Sequence, residues 1–255
     1  MSRHDIVYVL KNNYNSEELK YSVRSVVQNF PYRKICFVGG VPSDMTADVV
    51  IPDEQIGSTK WERSMHSLRL ALENKELTED IWLFNDDFFI MDRVKEDINY
   101  FNGSLDKRIS DIRKKVGNSS YSQGLEVLRG QLINMGKDSL SFSLHVPFLI
   151  NRAKALSLMD EFPNQKMFRS LYGNYYNIEC KYMEDVKVID LETLPDTSYI
   201  STTDKSFREG KVGVFLRNYF AQPTKYELET RSKSYHSLYD QIREIYDEEG
   251  EERYD

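Results

Sequence analysis

The residues of this sequence that most directly suggest a chemical role are two adjacent aspartates, Asp86 and Asp87. They follow the apolar run 81–84 and are followed at once by two phenylalanines. Neighbouring carboxylates at the end of a buried strand repel each other unless a proton or a cation lies between them. Such hard oxygen ligands suit Mg²⁺ or Mn²⁺, which complete their coordination with water and with substrate phosphates. The pair therefore predicts a divalent-metal site, and the alternative is a turn in which Asn85 and Asp86 cap a helix or bind loop amides.

A further ligand for this metal, or a contact to the phosphates, would have to come from the distant half of the chain. His145 lies in the otherwise apolar stretch 143–147 and is the best candidate for that role. A single histidine in an apolar run can also be a core residue whose ring is hydrogen-bonded. Both interpretations of His145 stay open on the sequence alone.

The acid pair Glu184 and Asp185 precedes a predicted strand and supplies the candidate general base. A carboxylate in that position could take the proton from an acceptor hydroxyl during group transfer. Together with His145, these two acids are the candidate catalytic residues. The alternative is a pair of loop acids that face solvent.

Three basic residues, Arg24, Lys60 and Arg63, lie on the two helices predicted in the first half of the chain. Each could contact a diphosphate bound near Asp86. The alternative is that these are ordinary solvated charges on the outer faces of helices.

The elements that must position these residues follow an alternating order. Apolar runs rich in β-branched residues predict four strands, at 6–10, 35–38, 47–51 and 81–84. Helical spacing of apolar residues predicts a helix that Ser16 could cap and that ends before Pro31, and a second helix from about 60 to 74. Strand, helix, strand, strand, helix, strand is typical of an α/β fold with a mostly parallel sheet flanked by helices. In such sheets ligands bind beyond the carboxyl ends of the strands, and therefore near Asp86.

The second half is less regular but shows no linker that would divide the chain. We predict strands at 98–101, 186–191 and 198–202, helices at 105–116, 152–162 and 212–220, and a loop at 117–124. We therefore expect one domain over residues 1–227, followed by an acidic helix or tail at 228–255.

Composition excludes several classes of protein. The chain has 41 acidic and 34 basic residues and a net charge of −7, whereas a general nucleic-acid binder needs a basic excess or stripe. Two cysteines far apart indicate neither a disulfide framework nor a Cys-rich zinc site. Residues 1–5 are polar, and no apolar run approaches the roughly 20 residues that span a bilayer. We therefore expect a cytoplasmic protein without a transmembrane segment. The chain also lacks the Gly-rich loops of P-loop and dinucleotide-binding proteins and the serine-hydrolase elbow.

Several segments together resemble the GT-A class of nucleotide-sugar transferases and, more specifically, the Stealth group of sugar-phosphate transferases, which make capsular polysaccharides or tag glycans. The two specific matches are residues 18–25 (ELKYSVRS) and residues 85–89 (NDDFF). Shorter matches in the same order are 5–8 (DIVY), 33–35 (RKI), 145–147 (HVP), 168–169 (FR) and 223–227 (PTKYE). The resemblance implies a GT-A-like, Rossmann-like fold and a nucleotide-sugar site in which Asp87 binds Mn²⁺ or Mg²⁺ and Asp86 binds the metal or the ribose. It implies donor-binding roles for Tyr8, Arg24, Lys60 and Arg63.

The sequence also departs from the Stealth pattern. The family's acidic Asp-Gly-Ser-Asp segment after the first strand is replaced here by residues 11–14 (KNNY), and its later Asn-Asp-Asp by residues 203–205 (TDK). These departures favour transfer of the sugar itself over transfer of a sugar phosphate.

The function that these observations predict is a metal-dependent glycosyltransferase with a nucleotide-sugar donor and a glycan or other hydroxyl acceptor, serving polysaccharide or glycoconjugate synthesis. One alternative is a Stealth-like sugar-1-phosphate transferase that releases a nucleoside monophosphate. A second is a glycosyltransferase that acts on modified nucleic-acid bases, for which Lys107-Arg108 and residues 113–115 could form a basic path. A third is a non-catalytic module that binds nucleotides or glycans.

Overall fold

The first half of the chain forms the predicted alternation of strands and helices. The computed structural model describes residues 3–12 and 17–228. The elements of this half are β1 (His4–Leu10), α1 (Glu18–Asn29), β2 (Tyr32–Gly39), β3 (Val49–Ile51), α2 (Lys60–Glu73) and β4 (Asp80–Phe84). Ser16, the predicted cap of α1, lies outside the described residues. α2 begins at a capping box in which the side chains of Thr59 and Glu62 each bind the other's backbone N–H.

Four of these strands form one parallel sheet in the order β3-β2-β1-β4, and a fifth strand, β7 (Phe148–Asn151), pairs antiparallel with β4. In the register of the sheet, Tyr8 of β1 lies between Phe37 of β2 and Phe84 of β4. The predicted fold class, an α/β protein with a mostly parallel sheet and flanking helices, is therefore confirmed. The carboxyl ends of β1, β2 and β4 meet at one edge.

The sheet is buried on both faces, which explains why its strands are continuous apolar runs. Along β1, Val7 joins the core on the face that α2 covers, whereas Ile6 and Tyr8 join the core on the face that α1 covers. Leu68 and Leu72 of α2 are buried in the first core. Full burial of one such apolar side chain stabilises the fold by about 1.5–3 kcal/mol.

The second half contains more elements than the sequence indicated. They are β5 (Phe88–Ile90), β6 (Asn99–Phe101), α3 (Leu105–Val116), α4 (Ser120–Asn134), β7, α5 (Arg152–Glu161), α6 (Phe168–Tyr175), β8 (Cys180–Tyr182), β9 (Lys187–Val188), β10 (Tyr199–Thr202), α7 (Asp204–Glu209) and α8 (Lys211–Tyr219).

Two of the predictions for this half are wrong in extent. The predicted loop at 117–124 ends early, because the Ser119 side chain accepts a bond from the Ser122 amide and starts α4. The predicted strand at 186–191 shrinks to the two residues of β9. The sequence patterns also did not predict β5, β7, β8, α4, α6 or α7.

The second half contains two smaller sheets, one of which begins directly after the turn that follows β4. β10 pairs antiparallel with β5 and parallel with β9, so that Ser201 lies opposite both Phe88 and Lys187. β6 pairs with β8. Strands from distant parts of the chain therefore surround the aspartate pair.

The described chain ends by packing against its beginning. The amide of Thr46 donates to the carbonyl of Tyr226 at 2.8 Å, and Tyr226 is buried. Apart from Leu228, the acidic segment predicted at 228–255 lies outside the described residues, and the boundary at 227 stays a prediction. Among the described helices, none combines the length and apolar character needed to cross a bilayer.

Candidate active site

The aspartate pair occupies a turn that joins two buried strands. β4 ends at Phe84, β5 begins at Phe88, and the Phe88 amide donates to the Asn85 carbonyl at 3.3 Å. No helix begins in this segment, so Asn85 and Asp86 do not cap one. Because Phe84, Phe88 and Phe89 are all buried, both ends of the turn are fixed and the two carboxylates are held at the edge of the sheet.

A cavity of about 950 Å³ lies against this turn, at the carboxyl ends of the parallel strands. Five of the predicted site residues line it: Lys60, Arg63, Asp86, Asp87 and His145. They come from the start of α2, from the turn after β4 and from the segment before β7. The tertiary structure thus brings these widely separated residues to one surface.

Asp87 is a largely enclosed acid of this cavity, with a side chain that is only 15% exposed. Its Oδ2 accepts hydrogen bonds from the Lys187 ammonium and, at 3.0 Å, from the Ser201 hydroxyl. Its Oδ1 is buried and has no hydrogen-bond partner among the residues that the structure describes. A buried carboxylate oxygen without a partner costs free energy, so this atom is suited to receive a ligand.

The donor set fits a metal only in part. Within residues 3–12 and 17–228, no group of three or more His, Cys, Asp or Glu side chains is arranged to hold an ion. Mg²⁺, however, is commonly bound by one or two carboxylates together with substrate phosphates. Asp86 and the buried, unpartnered Oδ1 of Asp87 fit that kind of shell among the described residues, and they do not fit a closed site made by protein alone.

His145 and Asp185 form a dyad at the side of the cavity. The imidazole Nδ1 lies 2.9 Å from Asp185 Oδ1 and 3.1 Å from Oδ2. Burial raises the pKa of Asp185, but the hydrogen bond and charge of His145 outweigh that effect and hold the pKa below its usual value. The carboxylate therefore stays ionised and fixes the orientation of the ring.

Arg169 of α6 holds the segment on both sides of His145. Its guanidinium donates to the carbonyls of Leu144 and Val146 at 3.1 and 2.9 Å, and it packs over the rings of Phe88 and Phe148. Desolvation lowers the pKa of Arg169 to about 10, and the charge of Asp87 opposes that shift. Arg169 remains a cation at neutral pH and adds positive potential near Asp87.

Glu184, the other candidate base, does not face this cavity. Its exposed carboxylate accepts a hydrogen bond from Tyr182. Glu184 and Asp185 instead line a neighbouring cavity of about 450 Å³, to which the apolar side chains of Val186 and Tyr199 also contribute. Lys187 lines both cavities, so they adjoin at Lys187 and at the dyad.

Two predicted donor-binding residues lie elsewhere. Tyr8 is fully buried in the core, where burial raises the pKa of its phenol and Ser22 lies 2.9 Å from its hydroxyl. Arg24 binds Glu227 through two hydrogen bonds of 2.8 and 2.5 Å and the carbonyls of Phe220 and Ala221. Arg24 thus ties α1 to the C-terminal part of the described chain and does not line the cavity.

The polar residues of the cavity that were not among the predicted site residues include Glu18, Gln55, Lys187 and Thr202. Glu18 is buried at the start of α1 and accepts a hydrogen bond of 2.6 Å from the Thr202 hydroxyl. It supplies an acid to the cavity although residues 11–14 after β1 contain none. Its place at the first position of the helix that follows β1 was a signal that could have revealed it. Lys187 gave no such local signal.

The end of β1 is held by a close backbone approach. Gln55, at a φ of 53°, donates from its side-chain amide to the Leu10 carbonyl at 2.7 Å. A Cβ on Gly39, whose φ is 98°, would lie only 2.1 Å from the same oxygen. Glycine is therefore required at the end of β2 beside the cavity.

The basic run predicted as a nucleic-acid path is partly neutralised. Arg113 of α3 pairs with Glu126 of α4 at 2.7 Å. The run lies on the surface of α3, away from the lining of the larger cavity.

Comparisons with known proteins identify structures of similar arrangement. No protein-family model matches the chain, and no curated protein matches it. The galactosyltransferase LgtC in complex with donor and acceptor sugar analogs is 11% identical, with a TM-score of 0.40 over 72% of this chain and 75% of LgtC. An active-site mutant of LgtC has a TM-score of 0.41 over the same shares. The apo form of the glycosyltransferase GlyE from Streptococcus pneumoniae TIGR4 is 12% identical, with a TM-score of 0.34 over 72% of this chain and 45% of GlyE. These neighbours are glycosyltransferases.

Proposed function

We propose that this protein is a glycosyltransferase that transfers a sugar from a nucleotide-sugar to a hydroxyl acceptor. The observation that carries the proposal is the cavity at the carboxyl edge of the sheet. Two acidic residues, two positively charged residues and a histidine line it: Asp86, Asp87, Lys60, Arg63 and His145. Open α/β sheets bind ligands at this edge. We propose that the fold is of the GT-A type, as the resemblance of residues 18–25 and 85–89 implies.

The donor diphosphate would bind near the start of α2. The first amides of a helix and its dipole attract anions, and Lys60 and Arg63 lie in the first turn of this helix beside the cavity. Mn²⁺ or Mg²⁺, bound by Asp86 and Asp87 together with the phosphates, would neutralise the charge that develops on the leaving group. The positive charges of Lys60 and Arg63 would bind the diphosphate and stabilise the negative charge that it gains as it leaves.

The acceptor would enter through the neighbouring cavity, which Asp185 lines. If Nδ1 of His145 carries the proton that faces Asp185, Nε2 presents a free lone pair. The acceptor oxygen attacks the anomeric carbon, the bond from that carbon to the diphosphate oxygen breaks, and the acceptor proton passes to Nε2. Asp185 would orient the ring and stabilise the charge that the ring gains.

Transfer of a sugar phosphate is the second candidate, favoured by the Stealth-like segments at 18–25 and 85–89. In that reaction the acceptor attacks phosphorus and a nucleoside monophosphate leaves. The same cavity would serve both reactions, because both place negative charge on a departing phosphate.

Chromatography of the released nucleotide tests the proposal. The protein would be incubated with Mn²⁺ and a panel of nucleotide-sugars, with Asp87→Asn as the inactive variant. The control is Asp160→Asn, which alters an exposed ion pair outside the lining of both cavities. A nucleoside diphosphate released by wild type and control supports glycosyl transfer. A nucleoside monophosphate assigns the second reaction. Release of neither, with any donor of the panel, would contradict both and favour a binding module.

A further inference from the structure

The chain itself supplies a cation to Asp87. The side chains of Lys187 and Asp87 form an ion pair in which they are only 18% and 15% exposed. The Lys187 ammonium also donates to the Thr202 carbonyl. The repulsion between the two neighbouring carboxylates, which on the sequence alone called for a metal, is therefore relieved in part by a lysine that lies 100 positions away.

The position of Lys187 is set by the small sheet. β9 carries Lys187 opposite Ser201 of β10, and β10 carries Ser201 opposite Phe88 of β5. The Ser201 hydroxyl donates to the same Asp87 oxygen at 3.0 Å, and the Thr202 amide donates to the Asp87 carbonyl at 3.3 Å. Backbone pairing and side-chain contacts thus hold the ammonium against the carboxylate.

The ammonium keeps some capacity for a ligand. It has three N–H donors, of which Asp87 and Thr202 take two among the described residues. Lys187 lines the larger cavity together with Lys60 and Arg63. A phosphate in that cavity would therefore meet a further cation, Lys187, close to the aspartate pair.

Positive charge at this point opposes a metal ion. A divalent cation that approaches Asp87 meets the ammonium of Lys187 at the same carboxylate, and like charges at such short range in a partly buried site repel strongly. The nearby charge of Arg169 adds to this effect. An anionic diphosphate has the opposite preference, because it gains from every one of these cations.

We propose that Lys187 is the resident counter-ion of Asp87: it weakens the binding of a divalent cation to the cavity in the absence of phosphates and is itself a phosphate-binding residue. The proposal concerns the binding of ions alone and goes beyond the transfer reaction. Replacing Lys187 by an uncharged residue should therefore change the affinities for a metal and for a phosphate in opposite directions.

Two binding measurements test this without a sugar donor. Mn²⁺ is titrated alone and followed by the electron paramagnetic resonance of the free ion, and inorganic pyrophosphate is titrated in EDTA by calorimetry. Lys187→Met should bind Mn²⁺ at least about tenfold more tightly than wild type, and pyrophosphate about tenfold more weakly. Lys205→Met is the matched control for Mn²⁺, because Lys205 lines the same cavity and is not among the described residues that donate hydrogen bonds to Asp87. Its Mn²⁺ affinity should stay within about threefold of wild type.

Further variants make the result unambiguous. The double variant Lys187→Met with Asp87→Asn should lose the gain in Mn²⁺ affinity, and retention of that gain would show that the ion binds elsewhere and overturn the proposal. If Lys187→Met does not fold, Lys187→Gln carries the test, since its amide keeps a donor without the charge. An unchanged Mn²⁺ affinity, an equal gain in Lys205→Met, or a loss of affinity for both ligands would each overturn it. These titrations do not depend on sugar transfer. A negative result for the ion-binding proposal can therefore be told apart from a negative result in the transferase assay.

Discussion

Asp5 and Asp87 lie at opposite ends of the central sheet and differ in how fully their carboxylates are hydrogen-bonded. Asp5 lies at the amino end of β1 and is fully buried. It accepts two hydrogen bonds from the Arg33 guanidinium, at 2.8 and 2.5 Å, and one each from the amides of Lys34 and Thr78, at 3.1 and 2.8 Å. Asp87 lies at the carboxyl end of β4, with a lysine and a serine on one oxygen and no described partner on the other.

This difference in hydrogen bonding indicates a structural role for Asp5 and a ligand-binding role for Asp87. Asp5 is saturated, and its partners come from the start of β2 and the segment before β4, so it fastens three strands at their amino ends. Asp87 keeps an unsatisfied oxygen at the edge where the cavity lies. A buried polar group that is left without a partner costs free energy, and a bound ligand would recover that cost. Four predictions, in decreasing order of expected effect, test the contrast.

Asp87→Asn should abolish most of the transfer activity with a small effect on folding. The change removes the charge that would act on the metal and the phosphates, and loss of one such electrostatic contact costs about 10²–10³-fold in kcat. The amide oxygen of asparagine can still accept from the Lys187 ammonium, and that ion pair is partly exposed, unlike the fully buried Asp5. The free energy of unfolding should therefore change by less than about 1.5 kcal/mol. Activity is measured by nucleotide release, and stability by urea unfolding. If activity falls only in proportion to the fraction of folded protein, Asp87 has a structural role like that of Asp5 and the proposed contrast is contradicted.

Asp5→Asn should have the opposite profile. The substitution weakens the bidentate pair with Arg33 and replaces an acceptor by an amide donor that faces other donors, so we expect a loss of about 3 kcal/mol in the free energy of unfolding. The activity of the molecules that remain folded should stay within about twofold of wild type. Asp160→Asn, which alters an exposed pair with Arg69, is the control and should cost less than about 1 kcal/mol. An equally small loss for Asp5→Asn would contradict the structural role.

Asp185→Asn should lower kcat by about 10- to 100-fold, because the ring of His145 would lose the carboxylate that orients it. The KM for the donor should change by less than about threefold, since Asp185 faces the neighbouring cavity. Steady-state kinetics separates the two constants. Glu184→Gln is the decisive companion: a larger loss of kcat in Glu184→Gln than in Asp185→Asn would assign the base to Glu184 and refute the dyad.

The smallest effect is the pH dependence of stability at Asp185. Its pKa in the folded protein is lower than its ordinary value of 3.8, so the ionised form stabilises the fold above that value. The contribution is complete at neutral pH and is lost as the pH falls through the lowered pKa. The difference in unfolding free energy between wild type and Asp185→Asn should therefore shrink as the pH falls below about 4. Urea unfolding at several pH values measures it, and a difference that grows in acid would have the wrong sign.

Regular apolar patterns made the first half of the chain predictable. β1, β2 and β4 are buried on both faces and are therefore continuous apolar runs, and α2 has both a capping box and helical spacing. The second half was less predictable because its strands are two to four residues long. Such short strands carry no periodicity, and only pairing with distant strands stabilises them.

The candidate site divides in the same way. Asp86, Asp87 and His145 could be chosen from residue type and context, and five of the predicted residues do line one cavity. Tyr8 and Arg24 could not be excluded from sequence, because spacing along a strand or helix does not reveal which face meets the cavity and which meets the core or the C-terminal segment.

The sequence by itself determined that an apolar strand ends in two adjacent carboxylates, and that this end lies at the ligand-binding edge of a mostly parallel sheet. Strand identity is encoded locally, in the burial pattern of neighbouring residues. Only the tertiary structure decided which cation lies beside Asp87. Lys187 belongs to a two-residue strand that reaches the aspartate through two successive strand pairings, and a contact between such distant residues leaves no pattern in the sequence around either one.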